Sequence, residues 1–287
     1  MKPQVHAFFH SPSSTVSYVV TTPDSNHCAI IDPVLDFDLK SGKTTTTTAD
    51  DIARYIKDNA LTVDWILETH VHADHLSAAP YLQGVVGGQL GIGDKITEVQ
   101  ATFKKLFNAE PEFIADGRQF DQLFKDGDRI QVGDMAIEVV HTPGHTPACV
   151  TYIVGDAAFV GDTLFMPDYG TARTDFPGGD ATILYRSIQK ILSQPAATRL
   201  YMCHDYAPNG REYAWQTTVA AQRKNNVHVH DGVSEDGFVK MRTQRDLESD
   251  VPALLFPSIQ VNMRAGHLPT PETNGVAYLK IPLNALG

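Results

Sequence analysis

Apolar residues in this chain fall into short runs, and several runs end in a polar, chemistry-bearing side chain. Residues 63–69 (Val-Asp-Trp-Ile-Leu-Glu-Thr) are apolar and β-branched enough for a buried strand. Residues 17–22 and 27–31 read as a hairpin closed by Pro23-Asp24-Ser25-Asn26. Residues 129–132 with 135–140, and 150–154 with 157–160, read as two more, turning at Gly133-Asp134 and Gly155-Asp156. Residues 89–92 and 200–202 are single strands. Helical spacing predicts residues 49–59, with Ile52, Tyr55 and Ile56 on one face, then 96–107, 182–192 and 211–224. Residues 234–247 form a further helix with Ser234 as N-cap. Residues 44–48 read as a low-complexity loop and 76–82 as helix-like. Residues 261–266 and 276–282 are expected to pack across the domain. No repeat of fixed period and no linker divides the chain, so the expectation is one layered α/β (α+β) domain over 1–287, with 227–287 as a C-terminal extension packed on it.

Composition narrows the function classes. A chain of 287 residues with 42% hydrophobic and 20% charged residues is ordinary for a globular protein. Its net charge of −11 argues against a nucleic-acid partner, which needs clustered Lys and Arg. No stretch approaches a membrane span, and residues 1–10 show neither a secretory signal nor an Arg-rich presequence. Cys28, Cys149 and Cys203 are odd in number and far apart, so neither a disulfide framework nor a cysteine zinc site is indicated. A cytoplasmic location is the simplest expectation, and Cys149 and Cys203 read as buried small apolar residues. Gly42-Lys43-Thr44 is not a phosphate loop, because Phe37 stands where the first glycine belongs.

The end of the 63–69 strand changes the picture. His70, His72, Asp74 and His75 crowd six positions, and brief continuation of the strand would turn His70 and His72 to one side. Three later clusters also follow apolar strands. In His141-Thr142-Pro143-Gly144-His145-Thr146 a sharp turn sets His145 at a strand end; Asp162 follows 157–160; His204 follows 200–202. Four strands each ending in a potential ligand point to one metal-bearing rim.

Taken together, H-x-H-x-D-H, H-T-P-G-H-T, G-D-T and C-H-D-Y resemble the ordered metal motifs of the metallo-β-lactamase fold, from about Val5 to beyond Tyr206. The resemblance implies a four-layer αββα sandwich with the metal at one edge. It also implies two kinds of chemistry. In dinuclear hydrolases of the glyoxalase II type, thioesterases acting on S-acylglutathione, one metal (two Zn(2+) or mixed metals in all) would take His70, His72 and His145. The second would take Asp74, His75 and His204, with Asp162 bridging. In the other branch one Fe(2+) per chain sits on His70, His145 and Asp162, which leaves positions for substrate and oxygen together. His72, Asp74, His75 and His204 then orient ligands and waters.

The segment Met166-Pro167-Asp168-Tyr169-Gly170-Thr171-Ala172-Arg173-Thr174-Asp175-Phe176 favours the second branch. Its R-T-D-F element resembles persulfide (sulfur) dioxygenases, and the longer run resembles the bacterial branch called β-lactamase-like hydrolase. The glyoxalase II element for glutathione is absent here. The expected reaction is oxidation of glutathione persulfide, or a similar low-molecular-weight persulfide, with O2 to sulfite and thiol. Arg173 is the candidate for a substrate carboxylate, weighed against an ion pair with Asp175. Tyr206 is placed like a glutathione-contacting tyrosine, weighed against rim packing. The resemblance implies a homodimer. Two departures stand out: Gly170-Thr171-Ala172 lacks the cysteine that precedes this element in animal and plant enzymes, and residues 207–211 differ. A dinuclear thioesterase and a non-catalytic metal-binding member are the alternatives.

Overall fold

The computed structural model describes residues 2–285; Met1, at the start of the expected domain, and residues 286–287, at its end, lie outside the described residues. Strands β1 (Gln4–His10), β2 (Thr15–Thr21), β3 (His27–Ile31), β4 (Val34–Asp38) and β5 (Lys43–Thr45) lead into helix α1 (Thr47–Asp58). Strand β6 (Thr62–Leu67), the short β7 (Leu76–Ser77), α2 (Ala79–Val86), β8 (Gln89–Gly93) and α3 (Ile96–Leu106) follow. Then come β9 (Gln122–Phe124), β10 (Arg129–Val132), β11 (Met135–His141), β12 (Val150–Val154), β13 (Ala157–Phe159) and α4 (Ala181–Leu192). Strands β14 (Arg199–Tyr201) and β15 (Gln216–Thr218) and helices α5 (Val219–Asn225), α6 (Glu235–Leu247) and α7 (Leu255–Asn262) complete the set.

Two six-stranded sheets form, in the orders β1-β2-β3-β6-β8-β9 and β10-β11-β12-β13-β14-β15. The two-residue alternation of strand side chains sorts them into layers. Val16, Tyr18 and Val20 of β2 face Ile137, Tyr152 and Phe159 between the sheets. Their alternate, Val19, faces outward with Ile30 and Ile66, under α1, α2, α3 and α7. On the other side Ala158 and Leu200 lie under Leu184 and Ile188 of α4, Val219 of α5 and Phe238 of α6. Helices therefore cover both outer faces of a two-sheet sandwich, the four-layer αββα arrangement.

Several boundaries depart from the sequence pattern, each for a tertiary reason. The strand predicted to run through Thr69 ends at Leu67, because the Asp32 carboxylate accepts from the Thr69 N–H at 2.7 Å and its hydroxyl at 2.8 Å. Residues 76–82 are not one helix: Leu76–Ser77 pairs with β4, and α2 starts beside Pro80, which suits a first helical turn. The threonine run is part strand and part helix, since Asp36 accepts from the N–H and hydroxyl of Thr48. Residues 211–218 are not helical. Gln216–Thr218 pairs with β14, and the Thr218 hydroxyl caps the shorter α5 by accepting from the Ala221 N–H at 3.2 Å. Residues 276–282 form no regular element, though Lys280 reaches Gln260 and Asn108.

Candidate metal centre

Asp32, at the end of β3, organises the start of the site. Its carboxylate accepts a hydrogen bond from the Thr69 hydroxyl, so His70 Nδ1–H donates to Thr69 Oγ1 at 3.0 Å and the His70 Nε2 lone pair is left facing inward. The same carboxylate lies 3.0 Å from His72 Nε2, with Glu68 at 3.2 Å, so His72 turns Nδ1 inward. His145 Nδ1–H donates to the carbonyl of Arg173 at 2.9 Å, which again frees Nε2. Hydrogen bonds of this kind fix the tautomer and ring orientation of metal-binding histidines.

The freed atoms converge. His70 Nε2 and His145 Nε2 lie 3.8 and 3.7 Å from Asp162 Oδ2. His204 Nε2 lies 3.3 Å from Asp162 Oδ1 and 3.5 Å from Asp74 Oδ2. Thr15, at the start of β2, donates its hydroxyl to Asp74 at 3.3 Å, and its oxygen also lies 3.3 Å from His75 Nδ1 and from His204 Nδ1. An isolated bridge from Thr15 to His204 ties the two sheets at this rim. His70, His72, Asp74, His75, His145, Asp162 and His204 are thus gathered in one place, as the motifs imply. His141 is not among them; its Nε2 points to the carbonyl of Pro147.

The imidazoles divide into two kinds: against the cost of burial, Asp32 holds the His72 pKa, and Asp74 and Asp162 that of His204, well above the usual range, whereas His70 and His75 are held below it. Burial, followed by the neighbouring His72 and His145, holds the His70 pKa well below its usual range. Burial and His72 bring His75 down to about 4. A neutral imidazole is the form that binds metal. Burial opposes charge on Asp74, but His204 and His75 overcome it and keep the carboxyl well below normal. His70 Nε2, His72 Nδ1, His75 Nε2 and Asp162 Oδ1 are buried without a hydrogen-bond partner among the described residues. Four such orphans in one cluster are costly unless something binds them. The donor set of imidazole and carboxylate suits iron, zinc or manganese. Ligand atoms of His70, His145 and Asp162 form one compact group, and those of His72, Asp74 and His75 another.

A cavity of about 500 Å³ opens beside the cluster, with Asp74, His145 and Asp162 in its wall. Arg173 and Tyr206 both line it. The Arg173 guanidinium grips Asp175 through two 2.6 Å hydrogen bonds, donates to the Asp250 carbonyl at 2.6 Å and lies over the Phe176 ring. Tyr206 stacks on His204 and tilts against Tyr169. Cys149 and Cys203 are both buried. Sequence reading missed Asp32, Glu68, Thr15 and Asn262. Asp32 carried a usable signal, since it too ends an apolar strand. Asn262 carried none: its carboxamide donates to the carbonyls of His72 and His75 and accepts from the Ser77 N–H, contacts that only the tertiary fold creates.

The model of the metallo-beta-lactamase superfamily matches residues 10–204. The chain belongs to that superfamily. It is 58% identical to a probable metallo-hydrolase of Burkholderia pseudomallei, over 98% of this chain and 99% of that one. It is 49% identical to glyoxylase B2 of Dictyostelium discoideum, over 99% and 98%. A more distant relative is the mitochondrial persulfide dioxygenase ETHE1 of Bos taurus, 32% identical over 90% of this chain and 87% of that one. Among solved structures, ETHE1 from Myxococcus xanthus superposes with a TM-score of 0.73 at 27% identity, covering 92% of this chain and all of the other. Among the described residues no helix is long and apolar enough to cross a membrane.

Proposed function

We propose that this protein is a mononuclear non-haem iron persulfide dioxygenase, oxidising glutathione persulfide or a similar small persulfide to sulfite and thiol. The observation that carries the reading is the trio His70 Nε2, His145 Nε2 and Asp162 Oδ2, two imidazoles and a carboxylate converging beside a cavity sized for a small thiol derivative. The R-T-D-F element at Arg173 and the relationship, across 90% of this chain, to a persulfide dioxygenase support it. The reaction balances as RSSH + O2 + H2O giving RSH + H2SO3. The S–S bond breaks, the terminal sulfur loses four electrons to O2, and water supplies the third oxygen. Iron bound at the trio would hold both reactants side by side and adjust charge during oxygen transfer.

The chain's own residues supply the rest. Asp32 and the Arg173 carbonyl hold the three imidazoles in the tautomers that face inward. Thr15, Asp74, His75 and His204 form a polar wall that would orient the water needed to hydrate the sulfur. Phe165, Tyr169 and Phe176 give the cavity an apolar lining that limits bulk water.

The second reading is a dinuclear hydrolase of the glyoxalase II type. It draws on the orphaned His72 Nδ1 and His75 Nε2, and on the metallo-hydrolase and glyoxylase relatives. Metal content with oxygen uptake on glutathione persulfide separates the two. About one iron per chain with persulfide-dependent uptake is the expected result. About two metals per chain, no uptake and S-lactoylglutathione cleavage would overturn it.

A further inference from the structure

Arg173, Arg242 and Arg245 all line the cavity beside the metal ligands, but two of the three are already engaged. Arg173 is taken by Asp175 and the Asp250 carbonyl. Arg242 is buried against Asp246, its Nε donating at 2.9 Å, and also reaches the Thr171 carbonyl at 3.3 Å. The Arg245 guanidinium, three residues along the same helix α6, makes no hydrogen bond or ion pair among the described residues and is solvent-accessible. It is the guanidinium with its donors still free.

His228 lines the same cavity at 8% exposure. Its Nδ1 accepts from the Thr171 N–H at 3.1 Å, which places the ring proton on Nε2. Nε2 has no partner among the described residues. The ring is seated against Gly170: a Cβ there would lie 2.2 Å from His228 Nδ1, and Gly170 has φ +102°. Residue 170 is therefore glycine so that this imidazole can occupy this wall. Burial, then Arg245 and Arg242, brings the His228 pKa down to about 4, so the ring is a neutral donor near pH 7.

We infer that Arg245 and His228 form an anion subsite of the cavity, and that it takes a carboxylate of the small thiol that carries the reacting sulfur. This rests on the persulfide reading and adds to it the residues that would hold the carboxylate of the carrier thiol. Arg245 offers two parallel N–H donors to a carboxylate, and His228 Nε2–H adds a third without competing charge. Asp74, Asp162 and Asp250 are the acidic lining residues. The first two belong to the metal site, and Asp250 sits on the exposed rim, where water screens it.

Binding of a stable, unreactive probe tests the subsite apart from turnover. S-Methylglutathione is titrated against wild type, Arg245→Gln and His228→Phe, with its diethyl ester as control. Arg245 is exposed, so its variant leaves folding untouched. Tenfold or greater weakening in Arg245→Gln, smaller weakening in folded His228→Phe, and an ester that binds wild type and Arg245→Gln equally weakly are expected. Equal affinity of Arg245→Gln and wild type for the acid, an ester bound as tightly as the acid, or no wild-type binding would each overturn the subsite. Wild type that binds the probe this way yet oxidises no persulfide would instead overturn the dioxygenase reading and leave the subsite standing.

Discussion

The Asn262 carboxamide lies 2.7 Å from the main-chain oxygen of His75, near the far end of the chain from the loop it holds. A second hydrogen bond, to the His72 oxygen at 2.9 Å, and a third from the Ser77 N–H at 2.8 Å clamp the loop that carries His72, Asp74 and His75. Backbone carbonyls buried in this way have no water to turn to. Asn262→Leu should lower metal affinity by about 10–100-fold, as loss of an outer support does. It should also cost roughly 1–3 kcal/mol of stability. Chelator competition alongside thermal melting measures both, and unchanged affinity in a folded variant would remove Asn262 from the site's support.

Asp162 faces all three histidine-bearing segments of the site, through His70, His145 and His204. Asp162→Ala should bring iron content close to zero and abolish persulfide-dependent oxygen uptake. Elemental analysis of purified protein is the check, and retained iron with near-normal uptake would sink the assignment.

Gly144, within H-T-P-G-H-T, has φ +128°, and a Cβ there would lie 2.3 Å from the Leu184 main-chain nitrogen. The glycine lets the turn bearing His145 sit directly on the first part of α4. Neither backbone can yield cheaply, so Gly144→Ala should destabilise the fold by about 1–3 kcal/mol or more. A lowered unfolding midpoint in denaturant reads this out, and an unchanged midpoint would refute the close approach.

His228 gives a pH dependence with a defined sign. Its imidazole titrates near 6.5 when unfolded and near 4 in the fold, because of burial and then Arg245 and Arg242. Between those values the unfolded chain binds more protons, so stability is complete above pH 6.5 and declines as pH falls toward 4. Allowing for partial solvent access, the decline attributable to this residue is about 1 kcal/mol. The difference in unfolding free energy between wild type and His228→Gln, measured with denaturant from pH 7 to 4, should shrink by that amount; a constant difference would exclude it.

Burial pushes the thiols of Cys28 and Cys149 up to about 12, and Cys203 is buried too. Native protein should therefore show almost no fast reaction with a thiol reagent, and three thiols after denaturation. A rapidly modified thiol in the native state would contradict the packing.

What could be read from sequence follows from where the information lies. Strands β2, β3, β8, β10–β13 and β14 carry dense apolar runs, and their terminal residues His145, Asp162 and His204 were visible as a set for that reason. Polar or weakly buried elements were not: β4 contains Asp36 and Asp38, and β9 opens on the exposed Gln122 and buries only Phe124. Residues 211–215 were misread as helix because Arg211 is held by Asp168 and Asp205, partners that no local pattern reveals. Arg173 shows a limit of another kind. A motif marks it as important, but only coordinates show that its guanidinium is spoken for by Asp175 while its carbonyl orients His145.

The frame around the site reaches from Thr15 to Asn262. During synthesis the early ligands His70 to His75 emerge long before His204, and their loop stays unclamped until α7 is made. Metal capture in the finished geometry is thus an event of the completed chain. A nascent chain that meets a metal too early can offer only the dense histidine run, with no means of choosing among cations.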